Sequence, residues 1–186
     1  MFIRDKFDGM QQIKNLGLNH FEEQIFQVDD LESIKKFIDE NDSEEYCLRT
    51  VGETSGKFYY CENFDQIKEK LGEFESQVLI CVSFRPYAED IVLLGDIKIH
   101  KDDNIVDLTA RTDENANHRN IYTEPEYNLH ISLDSDRLWD VPGFSKLMAY
   151  ISNYELYDIV VEFGVYSAKV GTNKDNVVIF EIRSEY

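Results

Sequence analysis

Hydrophobic residues recur every three or four positions in three segments of the first half of the chain, a spacing typical of helices with one buried face. The first predicted helix covers residues 5–17 and ends at Gly17, because glycine readily adopts the backbone that follows a helix. Asp29 or Asp30 can cap the second helix and Asn63 the third, since such side chains accept hydrogen bonds from first-turn N–H groups. The apolar positions are Phe7, Ile13, Leu16 and Leu18, then Leu31, Ile34, Phe37 and Ile38, then Phe64, Ile67, Leu71 and Phe74.

Short apolar runs separated by turn residues predict β-strands. The predicted strands are residues 46–51, 58–60, 78–84, 90–100, 105–110, 158–166 and 177–183. A further helix is predicted around Phe144 to Asn153, where apolar residues again follow helical spacing. Residues 111–128 are polar and predicted to be irregular. Helices interspersed with hairpins in this order favour an α+β fold over a parallel doubly wound sheet.

The net charge indicates which partners the protein can bind, and the cysteines indicate the cellular compartment in which it works. Acidic residues outnumber basic ones by 37 to 19, a formal net charge of −18 that argues against broad binding to nucleic acid or anionic membrane. Cys47, Cys61 and Cys81 lie in or beside apolar runs without CxxC spacing, which is typical of reduced core thiols. No segment resembles a transmembrane helix or a signal peptide, so we expect a globular, cytoplasmic protein.

Two acidic residues, Glu162 and Glu181, interrupt the apolar C-terminal strands. A hydrophobic side chain would be less costly at each position, because burying an unpaired carboxylate is unfavourable. Mg2+ is commonly held by one or two carboxylates with phosphate oxygens and waters, so both acids are candidate metal ligands. Alternatively, both lie on the solvated face of an edge hairpin. Arg183 shares a strand face with Glu181 by period two, either as a phosphate ligand or in an ordinary ion pair.

Several cations and one loop are candidate phosphate ligands. The segment from Gly52 to Lys57 combines glycines, hydroxyls and a cation, which suits phosphate binding and equally suits a plain hairpin turn. Its sequence does not match the P-loop pattern. Arg49 interrupts an apolar strand and predicts either a phosphate contact or a structural salt bridge. Arg111, His118 and Arg119 concentrate donors in the polar segment, where they either neutralise an anionic ligand or form surface ion pairs.

The order of these features resembles the ATP-grasp superfamily, whose nucleotide lies between two α+β lobes. Arg4-Asp5-Lys6-Phe7 followed by Leu16-Gly17-Leu18 is similar to the first helix motif of that family. Cys47-Leu48-Arg49 stands where the family has a strand with a phosphate-binding lysine, and residues 52–57 stand where it has a glycine-rich loop over the phosphates. The resemblance covers nearly the whole chain.

The later segments continue the resemblance. Val78 to Phe84 resembles the strand that connects the lobes and contacts adenine through its backbone, and Glu89 resembles the acidic residue that follows it. Val161-Glu162-Phe163 and Phe180-Glu181-Ile182-Arg183 resemble the two strands that carry the metal-binding acids. Arg183 stands where the family usually has a metal-binding asparagine, and a guanidinium cannot ligate a cation. This argues against two metal ions and is compatible with one Mg2+ held by Glu162 and Glu181, with Arg183 on a phosphate.

The resemblance implies one two-lobed unit with antiparallel sheets and flanking helices. Lobe one is expected at residues 20–84, and lobe two at 85–186 together with helix 5–17; the family's usual preceding domain would not be part of the chain. The implied cofactors are ATP and Mg2+, with Arg111 and Arg119 as catalytic groups on the γ-phosphate. The implied nucleotide ligands are Arg49, Gly52, Ser55, Gly56, Lys57, Ile80, Val82, Glu89 and Arg183, and the implied metal ligands are Glu162 and Glu181.

Three function classes follow. The family implies an ATP-dependent ligase that activates a carboxylate as an acyl-phosphate for capture by an amine or thiol of an unidentified small-molecule or peptide acceptor. A second possibility is a non-catalytic relative that senses nucleotide or binds a partner protein. A third, drawn only from the net charge of −18, is an acidic protein that covers a basic surface of its partner.

Overall fold

The computed structural model describes residues 3–4, 6–51, 56–112 and 124–184. Helices and strands divide between two compact units, which we call the small unit (residues 21–86) and the large unit (residues 1–20 and 87–186). The elements in chain order are α1 (Lys6–Asn15), β1 (Glu23–Gln27), α2 (Leu31–Asn41), β2 (Tyr46–Arg49), β3 (Phe58–Cys61), α3 (Phe64–Leu71), β4 (Gln77–Val82), β5 (Ile91–His100), β6 (Ile105–Arg111), β7 (Tyr127–Ser132), α4 (Asp136–Trp139), α5 (Phe144–Tyr154), β8 (Val160–Val170) and β9 (Asp175–Arg183), with a 3-10 helix at Arg85–Asp90.

The small unit contains a four-stranded antiparallel sheet in the order β1-β4-β2-β3. One sheet face and helices α2 and α3 form its hydrophobic core, which includes Ile34, Leu48, Ile67 and Ile80. Both predicted caps are confirmed: the Asp30 carboxylate accepts from the Ser33 N–H at 3.1 Å, and the Asn63 amide oxygen accepts from the Gln66 N–H at 3.0 Å. Local capping and an amphipathic pattern therefore account for these helices.

The large unit contains a five-stranded antiparallel sheet in the order β7-β6-β5-β8-β9. One face of this sheet forms a core with apolar residues of the helices, among them Ile13 of α1 and Leu147 of α5. Helix α1 packs against the edge strand β9 so closely that a Cβ atom on Gly9 would lie 2.5 Å from the Ile182 carbonyl oxygen. The opposite face carries most of the polar side chains of the sheet.

The α+β class with antiparallel sheets and flanking helices is confirmed. Strands β1 and β7 and the short helix α4 were not predicted. The segment predicted to be irregular from residue 111 to 128 begins with the end of β6 and runs into β7, with residues 113–123 outside the described part. Within the described residues, no helix is long and apolar enough to cross a membrane.

Candidate functional site

Three carboxylates form a row across the polar face of the large unit. Asp96 of β5 lies directly opposite Glu162 of β8, and Glu162 lies directly opposite Glu181 of β9. Directly opposed residues of antiparallel strands project from the same sheet face, with Cβ atoms about 5 Å apart. We call Asp96, Glu162 and Glu181 the acid row.

A β-bulge brings Glu181 into this row. The pairing of β8 with β9 runs from Val165 opposite Val177 to Phe163 opposite Ile179, then shifts by one residue so that Glu162 faces Glu181. Phe180 is the extra residue in β9. Without the shift Glu181 would face Val161, on the core side of the sheet, because a one-residue slip reverses the face of every side chain.

Two cations of the same unit contact the acid row. An Arg183 Nη2 atom donates to Asp96 Oδ1 at 3.1 Å, while Nη1 lies 4.0 Å from Glu162 Oε2 and 3.9 Å from Glu181 Oε1. Lys6 Nζ lies 3.1 Å from Glu181 Oε2. Glu162 is only 7% exposed. Its buried carboxylate would destabilise the fold without a nearby positive charge.

This arrangement does not fit a divalent cation. Mg2+ requires carboxylate oxygens that are open to the ion and to its waters, whereas the Arg183 guanidinium lies within 4.0 Å of all three acids. No group of three or more His, Cys, Asp or Glu side chains in the described part of the chain is arranged to hold a metal ion. Metal binding by Glu162 and Glu181 stays a prediction, and the geometry around them argues against it.

A second polar cluster lies next to the acid row on the same face. Asp107 faces Lys98 on one side and His130 on the other. Its carboxylate bridges two imidazoles, at 2.6 Å from His100 Nε2 and 2.5 Å from His130 Nδ1. Burial raises the pKa of Asp107, but the hydrogen bonds and charges of the two histidines outweigh burial and leave that pKa below its ordinary value.

Arg111 is the only predicted γ-phosphate ligand within the described ranges, since Arg119 lies outside them. It ends β6 opposite Leu94, two residues along β5 from Asp96, and so projects from the same face as the acid row. Its charge contributes to lowering the pKa of Glu126, after the stronger effect of hydrogen bonds from Thr112. Arg111 therefore adds a positive group to the face that carries the acid row.

The predicted phosphate ligands of the small unit occupy a different sheet. Arg49 ends β2 opposite Phe58 and Leu79, on the face that also carries Cys47 and Cys81 and that points away from α2 and α3. Lys57 already has a partner, because its Nζ lies 2.9 Å from the Glu73 carbonyl oxygen and 3.3 Å from the Glu73 carboxylate.

The remaining predicted nucleotide ligands lie in different surroundings, and two of them are outside the described residues. Gly56 lies against the Thr50 side chain, whereas Gly52 and Ser55 lie outside the described residues. Ile80 points into the core, and its strand β4 is paired with β1 on one side and β2 on the other.

Two further predicted nucleotide ligands, Val82 and Glu89, lie at the end of β4 and just after it. The Val82 N–H donates to the Glu22 carbonyl at 2.8 Å, which engages one backbone donor of the predicted adenine strand. Glu89 is exposed on the 3-10 helix that follows.

Sequence reasoning missed Asp96 and the contact made by Lys6. Asp96, Lys98 and His100 alternate with buried Ile97 and Ile99 along β5, a period-two pattern that predicts a polar sheet face. That signal was present in the sequence. The long-range contact of Lys6 with Glu181 depends on how α1 packs against β9 and has no local signature.

Comparison with known proteins rests on structure. No family model matches the chain, and no curated protein matches it by sequence. The fold is similar to N5-carboxyaminoimidazole synthase from Aspergillus clavatus in complex with ADP and 5-aminoimidazole ribonucleotide, with a TM-score of 0.58 and 14% identity over 99% of this chain and 45% of that chain.

Two further solved structures give the same result. D-alanyl-alanine synthetase A from Vibrio cholerae matches with a TM-score of 0.53 and 10% identity over 97% of this chain and 55% of that one. D-alanine-D-alanine ligase from Helicobacter pylori matches with a TM-score of 0.53 and 13% identity over 97% and 54%. The chain has an ATP-grasp fold. It spans about half the length of these enzymes.

Proposed function

We propose that this protein binds ATP. The ATP-grasp fold over nearly the whole chain is the observation that carries the proposal, since the similar solved structures are ligases of that fold and one was determined in complex with ADP. One fold hosts many different chemical activities, so the proposal from the fold is limited to binding.

The cations on the polar faces supply the proposed phosphate contacts. Arg49 is the candidate of the small unit and Arg111 that of the large unit; each, taken by itself, offers a planar guanidinium group that can bind phosphate oxygens in pairs. Arg119 and the segment from Gly52 to Ser55 complete the proposed set. Lys57 would have to exchange its contact with Glu73 for a phosphate, which costs little because both side chains are about half exposed.

A specific observation favours the non-catalytic candidate over the ligase. Transfer of a phosphoryl group depends on positioning and on neutralising the charge that develops on the phosphate oxygens. Arg183 is instead engaged with Asp96, Glu162 and Glu181 of its own sheet. We therefore place nucleotide sensing, with readout through a partner protein, ahead of ligation of an acceptor.

Calorimetric titration with ATP, with and without Mg2+, tests nucleotide binding. We expect measurable heat and a rise in melting temperature at millimolar ATP. Arg49→Gln should weaken binding about tenfold, the effect of losing one charged hydrogen-bond donor pair, whereas Lys36→Gln on the exposed surface of α2 should leave it unchanged. Absence of both heat and stabilisation at millimolar ATP would refute the proposal.

Phosphate release distinguishes the two candidate functions. The protein is incubated with Mg-ATP and panels of amino acids and short peptides, and inorganic phosphate is measured against a protein-free blank. We expect no acceptor-dependent release. Release that depends on one acceptor and disappears in Arg111→Gln would establish a ligase and remove the sensing proposal.

A further inference from the structure

We propose that Arg183 and Lys6 replace a divalent cation at the acid row, so that the large unit binds no metal there. The proposal departs from what the fold implies. It concerns the chain without nucleotide and stands whether or not ATP binds.

Charge balance is the first support. The acid row carries three carboxylates, and among the described residues Arg183 and Lys6 place two positive charges against them. Like charges opposite one another on a sheet are destabilising, so three adjacent acids require compensation in the folded chain itself. Arg183 and Lys6 supply it through their contacts with the three acids.

The position of the guanidinium is the second support. Arg183 lies two residues after Glu181 on the same strand face, and its side chain reaches across β8 to hydrogen-bond Asp96 on β5. It therefore lies across the acid row rather than beside it. Any cation bound between Glu162 and Glu181 would be held close to a fixed positive charge that cannot be removed by deprotonation.

The burial of Glu162 is the third support. A buried carboxylate without a partner is costly, and one stabilised by a neighbouring guanidinium is retained. Arg183 is less than half exposed, so solvent screens this contact only in part. Arginine at residue 183, where the family resemblance implies asparagine, is thus the change that makes the acid row unsuitable for a metal ion.

Mn2+ binding measured by electron paramagnetic resonance tests the proposal without nucleotide. Protein is titrated into millimolar Mn2+ and the bound Mn2+ is measured. Binding at the acid row is defined as the bound Mn2+ that is lost when Glu181→Gln is introduced. We expect no such binding in the wild-type chain. Arg183→Asn should create it, with a Glu181-dependent affinity roughly tenfold or more above the wild-type detection limit, because a unit charge near the metal is removed. The matched control Arg137→Asn, on the exposed face of α4, should behave as wild type.

Two results would overturn the proposal. One is wild-type Mn2+ binding that Glu181→Gln abolishes. The other is a folded Arg183→Asn variant, verified by its thermal transition, that gains no binding dependent on Glu181. If Arg183→Asn does not fold, the wild-type comparison with Glu181→Gln still decides. Failure of the ATP titration leaves every one of these outcomes unaffected, so the two proposals fail separately.

Discussion

At the scale of single residues, buried Asn19 joins α1 to the β8–β9 hairpin. Its side chain is fully buried, donates to the carbonyls of Val170 and Val177 at 3.0 and 2.8 Å, and accepts from the Asn173 N–H at 2.8 Å. We expect Asn19→Ala to lower the free energy of unfolding by roughly 2 to 4 kcal/mol, because two buried carbonyls and one part-buried N–H lose their partner. Chemical denaturation measures the change.

Asn153→Ala provides the matched control for this prediction. Asn153 is exposed on α5, and alanine has the higher helix propensity, so this variant should be as stable as wild type or slightly more stable. Equal stability of Asn19→Ala and Asn153→Ala would mean that water replaces the Asn19 side chain at no cost.

The contacts of Arg183 were predictable from the sequence only in part. Period two placed it correctly on one face with Glu181 and left two interpretations open, a phosphate ligand or an ion pair. The ion pair is present, at 3.9 Å, and extends to Asp96 on a strand that lies far away in sequence. Only the register of three strands reveals that extension, so no local pattern could have predicted it.

At the scale of elements, helices with caps and strong periodicity were predictable, and strands without either were not. β1 has a single buried residue, Phe26, and its flanks are acidic. β7 does alternate, with Tyr127, Leu129 and Ile131 packed against the core, but it follows a long polar segment that hid the pattern. Sheet pairing stabilises both strands, and pairing is a non-local property.

The β-bulge at Phe180 is the element-scale feature that the sequence concealed. Ile179 and Ile182 both belong to the core on one sheet face although they are three residues apart, which strict alternation does not allow in one regular strand. The extra residue reconciles them and turns Glu181 toward the polar face. The candidate site thus depends on one irregularity in one strand.

The packing of α1 on β9 is testable through Gly9. A Cβ atom there would meet the Ile182 carbonyl oxygen at 2.5 Å, so Gly9→Ala must push the helix away from the strand. We expect a loss of about 1 to 3 kcal/mol in unfolding free energy, despite alanine's better helix propensity. At Gly72 no atom lies within 4 Å of an added Cβ, so Gly72→Ala should be neutral or stabilising. Similar unfolding midpoints for the two variants would contradict this close contact.

At the scale of the whole molecule, the proposal that the protein binds ATP rests on the fold and not on individual site residues. The order of elements along the chain was enough to predict an ATP-grasp fold, which the structural comparisons confirm. Side-chain roles were transferred position by position, and at residue 183 the side chain present has chemistry opposite to that of the expected one. Fold therefore survives sequence changes that alter what a site can bind.

Net charge governs a last prediction at this scale. With 37 acidic and 19 basic residues, the folded chain concentrates like charges that the unfolded chain spreads apart. Salt screens this repulsion, and it also weakens exposed ion pairs, each of which contributes little. We therefore expect the melting temperature to rise as NaCl increases from about 10 mM to physiological ionic strength. Choline chloride should produce the same rise if screening is the cause. A melting temperature that falls with both salts would mean that local ion pairs such as those of the acid row outweigh the overall repulsion.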